Sequence, residues 1–331
     1  MRRFLASLFF LGAIMAIAAA SWALWWVHQP IALPAPTVDL SIEPGTLPRG
    51  VASAVADTGA QVNPDLLYWW FRLSGQARMI KAGSYELSGG LTPRSLLSKL
   101  ARGEEALEAV TLVEGWNFRQ VRAAMAKETT LKPDSKGLSD ADLMKALERP
   151  GLHPEGRFFP DTYTYARGSS DLAVMRRALR AMDKRLDAAW AQRQPDVPLK
   201  TPEEALILAS IVEKETGRAS DRPAIASVFA NRLRIGMPLQ TDPTVIYGMG
   251  ESFDGNLRKK DLQTDTPWNT YLRTGLPPTP IAMPGKAALL AAVQPVSSKN
   301  LYFVARGDGS SQFSATLEEH NRAVNKYQRG Q

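Results

Sequence analysis

The sequence predicts an α+β protein with a single N-terminal transmembrane helix, a small strand–helix module and a larger mixed α+β domain. Three observations predict this organisation. The run from Phe4 to Val27 is uncharged and apolar, and about 20 such residues span a bilayer. Short strand patterns alternate with helical patterns from Val38 onward. The chain has 331 residues, 44% of them hydrophobic, which is enough for two folded units.

The uncharged run has the flanks of a membrane anchor. Positions 2 and 3 are arginines, which should stay in the cytoplasm, so that everything after Val27 lies outside. Three tryptophans suited to the membrane–water interface close the run: Trp22, Trp25 and Trp26. A cleaved secretory signal, the alternative, has an apolar region of only about 7 to 15 residues and ends in small residues. We therefore expect residues 1–27 to anchor a single-pass protein in the cytoplasmic (inner) membrane.

The segment after the anchor predicts a spacer. Residues 28–37, HQPIALPAPT, have no helical period and contain three prolines, a composition typical of stiff, extended linkers. This spacer would hold the folded part away from the membrane. Beyond it we expect a small module over residues 38–109 and a larger domain over residues 110–331.

The small module alternates strands and helices. The segment VDLSIEPG predicts a strand that leads into a helix near Val51, and a second helix covers about Asp65 to Leu73. AGSYELSGG predicts a short strand ended by paired glycines. Thr92 and the proline after it then open a helix that stops at Gly103.

The larger domain opens with the strand AVTLVEG, and helices and loops predominate after it. Two helices are predicted, TPEEALILASIVEKETG over residues 201–217 and SDRPAIASVFANRLRIG up to Gly236. The apolar stripe of the second helix belongs to a core: Ile225, Val228, Phe229 and Leu233. Two loop-like segments follow, LQTDPTVIYGMG over residues 239–250 and PWNTYLRTGLPPTPIAMPG over residues 267–285.

The composition excludes several kinds of chemistry. The chain has no cysteine, which excludes disulfides, thiol nucleophiles and cysteine-based metal sites. Its three histidines are too scattered for a zinc motif, and we expect neither a metal nor a cofactor. The formal net charge of +7 fits anionic lipid or a carboxylate-bearing polymer, and equally an ordinary solvated surface. No basic run is interleaved with aromatic residues, so no nucleic-acid partner is expected.

Carboxylates remain as the candidate catalytic groups. The sequence contains no G-x-S-x-G elbow, no phosphate-binding loop and no S-x-x-K motif, and the last absence argues against a penicillin-binding acyl transferase. The helix over residues 201–217 begins with Thr201 as its cap and Pro202 in the first position, and Glu204 would close a capping box. Glu204 therefore has a structural explanation.

Glu215 stands out on the same helix. At about 100° per residue, Glu215 falls in the middle of the apolar stripe, whereas Glu213 falls on the opposite face. The stripe comprises Leu206, Ile207, Leu208, Ile211 and Val212. Burial disfavours an ionised carboxylate, so the pKa of Glu215 should rise, as a general acid near neutral pH requires. The alternative is a structural acid in the last helical turn that faces solvent or an arginine.

The two loop-like segments offer amides, hydroxyls, a carboxylate and flat aromatic rings, the mixture that a sugar-binding groove uses. The candidate substrate-binding residues are Gln240, Thr241, Asp242, Tyr247, Asn269 and Tyr271, with Trp268 as a further aromatic. The alternative is ordinary Asx-turn and proline-turn chemistry in two surface loops.

These segments resemble the membrane-anchored endolytic murein transglycosylases of the YceG-like family. The most specific matches are ASIVEKETG, VFANRLRIGMPLQTDPTVIYGMG, NTYLRTGLPPTPIAMPG and LYFVARGDGSSQFSATLEEHN, and the weaker ones are IKAGSYEL, TLVEGW and FPDTY. The resemblance covers nearly everything after the anchor. It implies an enzyme that cleaves the bond between N-acetylmuramic acid and N-acetylglucosamine within peptidoglycan strands, leaving a 1,6-anhydro ring.

The resemblance also implies roles for particular residues and segments. The catalytic acid of the family is the second glutamate of the E-K-E triplet, which is Glu215 in this chain. The family has a small LysM-like module between the anchor and the catalytic domain, to which the AGSYEL region is similar. The expected partners are peptidoglycan glycan strands, the membrane and a peptidoglycan synthase, and the expected role is to terminate or trim nascent strands.

Three functions stay open at this point. A lytic transglycosylase needs one acid, because Glu215 could first donate a proton and then accept one from the C6 hydroxyl of the sugar. A water-using muramidase needs a second carboxylate about 5 to 9.5 Å away, for which Asp242 is the candidate. A non-catalytic scaffold would only hold glycan and has no need of an acid on an apolar stripe.

Overall fold

This computed structural model describes the backbone of residues 2–329 and the side chains of residues 10–329. The chain divides into two compact units. The smaller unit comprises the residues up to Glu108 together with Thr164–Gly168, and the larger comprises Ala109–Tyr163 and the residues from Ser169 onward.

The smaller unit contains two antiparallel strands and the helices around them. Its elements in chain order are α1 (Arg2–Trp26), β1 (Thr37–Ile42), α2 (Pro48–Asp57), α3 (Pro64–Leu73), β2 (Gly83–Ser88) and α4 (Pro93–Arg102). β1 pairs with β2 from Thr37 opposite Ser88 to Ile42 opposite Gly83. Apolar side chains from both strands and from α2, α3 and α4 form one core, including Leu40, Val51, Leu67, Phe71, Leu87 and Leu96.

The signals that open and close α4 act as predicted. The Thr92 hydroxyl accepts from the backbone N–H of Ser95 at 3.1 Å, and the Ser95 hydroxyl accepts from the N–H of Thr92 at 2.9 Å. Together these bonds satisfy two free donors at the helix start. Gly103 ends the helix with a φ of 73°, a left-handed conformation that costs glycine little.

The N-terminal anchor stays a prediction. The predicted span begins at Phe4, and the side chains of residues 2–9 lie outside the described part of the chain. Within the described residues, no helix combines the length and the apolar character that crossing a bilayer requires.

The predicted free spacer is wrong in its first part, because its apolar side chains are buried in the smaller unit. Val27, just before the spacer, is 2% exposed and Ile31 is 6% exposed. The N–H of Ile31 donates to the Leu91 carbonyl at 2.7 Å, and Ala32 forms a β-bridge with Gln61. Burial of these apolar groups stabilises a docked segment over a solvated one.

The larger unit is mainly helical. Its elements in chain order are β3 (Leu107–Thr111), α5 (Phe118–Lys127), α6 (Asp140–Ala146), β4 (Thr162–Ala166), α7 (Asp171–Ala191), α8 (Pro202–Glu215), α9 (Arg222–Arg234), α10 (Asp242–Met249), α11 (Lys259–Leu262), α12 (Lys286–Val293), β5 (Tyr302–Ala305), β6 (Ser311–Ser314) and α13 (Leu317–Val324). β3 pairs with β4, and the division between the units falls inside these two strands. β5 and β6 form an antiparallel pair from Tyr302 opposite Ser314 to Ala305 opposite Ser311.

Helix α8 lies at the centre of the larger unit, in contact with α7, α9, α10 and α12. Every residue from 205 to 212 is at most 6% exposed, so the predicted single apolar stripe is wrong for this part of the helix. On the face of α8 that has no large apolar side chains, small residues allow neighbouring segments to approach the helix closely. One of them, Ser210, accepts a hydrogen bond from the N–H of Ile281 at 3.0 Å.

The start of α8 differs from the predicted capping box by one residue. The Thr201 hydroxyl accepts from the N–H of Glu204 at 3.2 Å, as expected of a cap. The Glu204 carboxylate, however, accepts from the N–H of Lys200 at 2.5 Å, one residue before the predicted donor.

Residues 242–249, predicted as part of a loop, form helix α10. The run Thr244, Val245, Ile246 is β-branched and two glycines follow, so the local propensity for helix is low. Pro243 suits the first turn of a helix, and packing against α8 supplies the remaining stabilisation that α10 needs. By contrast, residues 267–285 contain neither helix nor strand, as predicted.

Candidate active site

Glu215 is the last residue of α8, and its half-buried side chain opens onto a cavity of about 570 Å³. Thr216 has an extended backbone, with φ of −149° and ψ of 133°, so the helix stops immediately after Glu215. The Thr241 hydroxyl donates a hydrogen bond to Oε1 of Glu215. Polar and aromatic side chains line the same cavity: Arg232, Gln240, Asp242, Tyr271, Tyr302 and His320.

The surroundings raise the pKa of Glu215 to about 7. Burial is the largest cause, since it disfavours the charged form, and the negative charge of Asp242 acts in the same direction. The hydrogen bond from Thr241 and the positive charge of Arg232 oppose the rise. The Glu215 carboxyl is therefore divided between its protonated and ionised forms near neutral pH, so it can both donate and accept a proton.

A strained turn holds Thr241 against Glu215. Gln240 has a φ of 47°, an uncommon left-handed conformation for a residue with a side chain. The N–H of Gln240 donates to the Thr270 carbonyl at 3.0 Å, and the N–H of Thr241 donates to the Thr270 hydroxyl at 3.2 Å. The loop that contains Thr270 thus compensates for backbone strain next to the candidate acid.

Asp242 and Tyr271 are brought together in the cavity. The Tyr271 hydroxyl donates to Oδ1 of Asp242 at 2.6 Å. Burial and the adjacent Asp242 raise the pKa of Tyr271, so that its hydroxyl remains a donor. Of the six predicted substrate-binding residues, Gln240, Asp242 and Tyr271 line the cavity and Thr241 bonds to Glu215 itself.

The other two predicted residues have different positions. Asn269 is fully buried; its side-chain amide donates to the carbonyls of Leu262 and Thr264 at 3.0 and 2.8 Å and accepts from the N–H of Tyr271 at 2.9 Å. These bonds shape the turn that presents Tyr271 and leave Asn269 out of reach of a ligand. Tyr247 lines a different cavity at the other end of α10.

Arg232 on α9 is a cation in the cavity that the sequence reasoning missed. It is 7% exposed, and its guanidinium donates to the carbonyls of Leu301 and Leu239, both at 2.7 Å. No carboxylate among the described residues forms an ion pair with it. A signal was present: Arg232 lies three residues after Phe229 and four after Val228, on the apolar stripe of its helix.

Tyr302 of β5 and His320 of α13 add an aromatic wall to the cavity, and sequence reasoning missed both. Their rings stack at 5.2 Å between centroids, and the guanidinium of Arg232 lies 5.3 Å from the centre of the Tyr302 ring. Burial and the charge of Arg232 lower the pKa of His320. An aromatic face and a neutral imidazole suit an uncharged, hydroxyl-rich ligand.

Glu213, two residues before Glu215, has a structural environment. Its side chain is 4% exposed, and Oε1 pairs with Arg222 at 2.8 Å. Its other oxygen accepts from the N–H of Gly285, at the start of α12, at 2.9 Å. Glu213 therefore links α8 to α9 and α12 and does not line the cavity. Within residues 10–329, no three acidic or histidine side chains are grouped to hold a metal ion.

Comparisons with known proteins agree on one family. The sequence matches the YceG-like family over residues 40–326. It is 33% identical over 310 residues to an endolytic murein transglycosylase of Bacillus subtilis, covering 88% of this chain and 85% of that protein. It is 29% identical to an endolytic murein transglycosylase of Streptococcus pneumoniae, covering 74% of this chain but only 50% of the pneumococcal protein.

A solved structure shares the fold. The crystal structure of a YceG-like protein from Listeria monocytogenes superposes with a TM-score of 0.55 and 30% sequence identity, covering 87% of this chain and 98% of that one. The family match begins within β1 of the smaller unit and includes the whole α8–α10 region and the β5–β6 pair. On these grounds the chain belongs to the YceG-like family.

Proposed function

We propose that this protein is a peptidoglycan lytic transglycosylase that cleaves inside glycan strands, with Glu215 as its only catalytic acid and base. The observation that carries the proposal is the Glu215 carboxyl, which titrates near neutral pH where α8 ends in a cavity with aromatic and polar walls. The names of the relatives from Bacillus subtilis and Streptococcus pneumoniae support the same reaction.

The proposed reaction has two proton transfers and uses no water. Protonated Glu215 donates to the glycosidic oxygen as its bond to C1 of N-acetylmuramic acid breaks, which releases N-acetylglucosamine with a free hydroxyl. The Glu215 carboxylate then accepts the proton of the muramic C6 hydroxyl, whose oxygen bonds to C1 and closes the 1,6-anhydro ring. The acid regains its proton, so the cycle closes on one carboxyl group.

Neighbouring groups would support each protonation state. Before the reaction, Asp242 and burial favour the protonated acid. After proton donation, Thr241 and Arg232 stabilise the carboxylate, because a donated hydrogen bond and a positive charge both favour the ionised form. Asp242, bonded to Tyr271, would orient the substrate or stabilise positive charge at C1.

A water-using muramidase is the second candidate, because Asp242 lies close enough to influence the pKa of Glu215. Digestion of purified sacculi by the full-length protein in detergent, with mass analysis of the products, decides between them. The transglycosylase releases anhydro-muramyl products that are one water lighter than the products of a hydrolase. Products carrying the added water would contradict the proposal.

Variants separate the roles of the two acids. Glu215→Gln removes the transferable proton and should reduce product formation by about 100-fold or more. Asp242→Asn should cost less if it only orients substrate, and as much as Glu215→Gln in a two-carboxylate hydrolase. If Glu215→Gln releases no product but still binds sacculi like the wild type, while Asp242→Asn keeps part of its activity, the acid is assigned correctly. If no variant and no wild-type protein releases product, the protein is a wall-binding scaffold.

We propose further that residues 1–27 tether the enzyme to the outer face of the cytoplasmic membrane. The two arginines before the uncharged run and the tryptophans at its end support this orientation. A tethered enzyme would meet strands near the membrane where synthases release them, which fits termination or trimming of nascent glycan.

A further inference from the structure

A second cavity, of about 260 Å³, lies in the larger unit and shares no lining residue with the cavity of Glu215. Its walls carry an amide, an imidazole, three aromatic side chains and charged groups of both signs. The residues that matter here are Asn117, Arg119, His153, Tyr247 and Trp268. None of them has a part in the chemistry proposed at Glu215.

Two segments connect the two cavities. Helix α10 begins at Asp242 in the first cavity, and Tyr247 near its other end lines the second. At about 1.5 Å per residue, the helix and the glycine after it span about 12 Å. The turn of residues 268–271 also reaches both cavities, with Trp268 in the second and Tyr271 in the first. An extended ligand that follows α10 would meet both.

The aromatic wall of the second cavity is held rigidly. The rings of Tyr247 and Trp268 pack edge to face with centroids 5.4 Å apart. The indole N–H of Trp268 donates to the Thr279 hydroxyl at 3.0 Å. Tyr247 bonds to Glu155, a carboxylate that is 2% exposed and that also accepts from the N–H of Phe118 at 3.1 Å. Fixed aromatic faces lose little conformational entropy when a ligand binds.

The polar groups of this cavity are accessible. His153 is exposed, and because its Nδ1 accepts from the N–H of Glu155 at 3.2 Å, its Nε2 can donate to a ligand. Arg119 is exposed too, and within residues 10–329 it pairs only with Glu251, an 86% exposed carboxylate. Rigid aromatic faces beside a few amide, imidazole and guanidinium donors suit a sugar ring with hydroxyl and acetamido groups.

We propose that the second cavity is a remote saccharide subsite that binds an N-acetylhexosamine unit of the same glycan strand that Glu215 cleaves. This inference rests on the proposed function. An enzyme that cuts within a strand has sugars on both sides of the reacting bond, and a remote subsite would hold the strand in register. The subsite would add binding energy for long strands and none for short ones.

The test compares substrate lengths in the full-length protein. In Trp268→Ala and in the double variant Arg119→Ala with His153→Ala, kcat/KM for long strands should fall about tenfold through a higher KM, with kcat unchanged. For murein oligosaccharides too short to reach from Glu215 to Trp268, kcat/KM of the double variant should stay at the wild-type value. Arg273→Ala is the matched control, because Arg273 is likewise exposed and paired with an exposed acid, Asp265.

A binding measurement separates this inference from the proposed function. In the Glu215→Gln background, calorimetry with long and short strands should show weaker binding of long strands only when Trp268→Ala or the double variant is added. An equal loss for both lengths, or no loss for either, would overturn the subsite. Failure of the wild-type protein to form anhydro products would contradict the proposed function, while the binding comparison would still decide the subsite.

Discussion

Glu213 and Glu215 show how strongly the surroundings of one side chain decide its role. They stand two residues apart on α8, and both carboxyls have a raised pKa of which burial is the main cause. Glu213 is paired with Arg222 and bonded to the N–H of Gly285, so both oxygens are engaged in the fold. Glu215 bonds to one hydroxyl and opens onto the cavity. Only Glu215 can meet a substrate.

The pKa of Glu215 predicts the pH dependence of the reaction. The acid must be protonated to donate, so kcat/KM should be constant below a pH of about 7 and fall tenfold per pH unit above it. Thr241→Val removes the hydrogen bond that favours the carboxylate. The pKa of Glu215 should then rise, and the fall in kcat/KM should begin at a higher pH. Initial rates of anhydro-product release, measured across pH for the wild type and for Thr241→Val, test both the profile and its shift.

Glu155 supplies the control for this profile, because burial raises its pKa to about 7 as well. Glu155→Gln should leave the position of the descending limb unchanged, since Glu155 lines the second cavity and not the cavity of Glu215. If Thr241→Val leaves the limb in place and Glu155→Gln moves it, a group other than Glu215 controls the rate.

Glu213→Gln should lower the free energy of unfolding by about 2 kcal/mol or more, measured by urea denaturation. The reason is that Arg222, whose side chain is 10% exposed, would lose its carboxylate partner at 2.8 Å; among the described residues, Glu114 at 3.9 Å would be its remaining acidic partner. Because Glu213 does not line the cavity, the same variant should cost far less activity than Glu215→Gln.

A double variant identifies the cause of that loss. Glu213→Gln with Arg222→Gln removes both charges, so it should be more stable than the sum of the two single changes predicts. Strict additivity of the three values would mean that the ion pair contributes nothing, and the prediction would fail.

At the scale of elements, α10 and the docked segment after α1 depend most on their neighbours. Helix α10 forms despite a β-branched run because it packs against α8, and it then sets the separation of Asp242 from Tyr247. The proline-containing segment packs through Ile31 and bonds to Leu91, although its composition is typical of linkers. In both cases a few non-local contacts outweigh local preference.

Truncation tests the docked segment. A soluble fragment starting at Val38 should unfold in its smaller unit at lower urea than a fragment starting at Val27, with a difference of about 2 kcal/mol or more. The shorter fragment lacks the buried Ile31 side chain and the bonds of Ile31 to Leu91 and of Ala32 to Gln61. Ile31→Ala in the longer fragment should reproduce much of the loss. Equal urea midpoints for the two fragments would mean that the segment before Val38 adds no stability, as expected of a solvated spacer.

At the scale of the whole molecule, the proposed topology has one direct test. A reporter that works only in an external, oxidising compartment should be active when fused after Gln331, because in the proposed topology the arginines at positions 2 and 3 would keep the N-terminus inside. A reporter that works only in the cytoplasm should be inactive at the same position, and its activity there would contradict the proposed localisation. Replacing both arginines with glutamate is the control that should reduce correct orientation.

Local sequence patterns predict the order of most elements, the ends of α4 and the candidate acid at the end of α8, because capping residues, glycines and apolar periods act over a few neighbouring positions. Long-range packing instead buries residues 205–212 of α8 on every side, pairs Glu213 with Arg222 and places Arg232 in the cavity of Glu215. It also divided the predicted sugar-binding residues, with Asp242 and Tyr271 in one cavity and Tyr247 in another. These outcomes depend on which segments, far apart in the sequence, pack together. A local sequence pattern does not specify those long-range contacts.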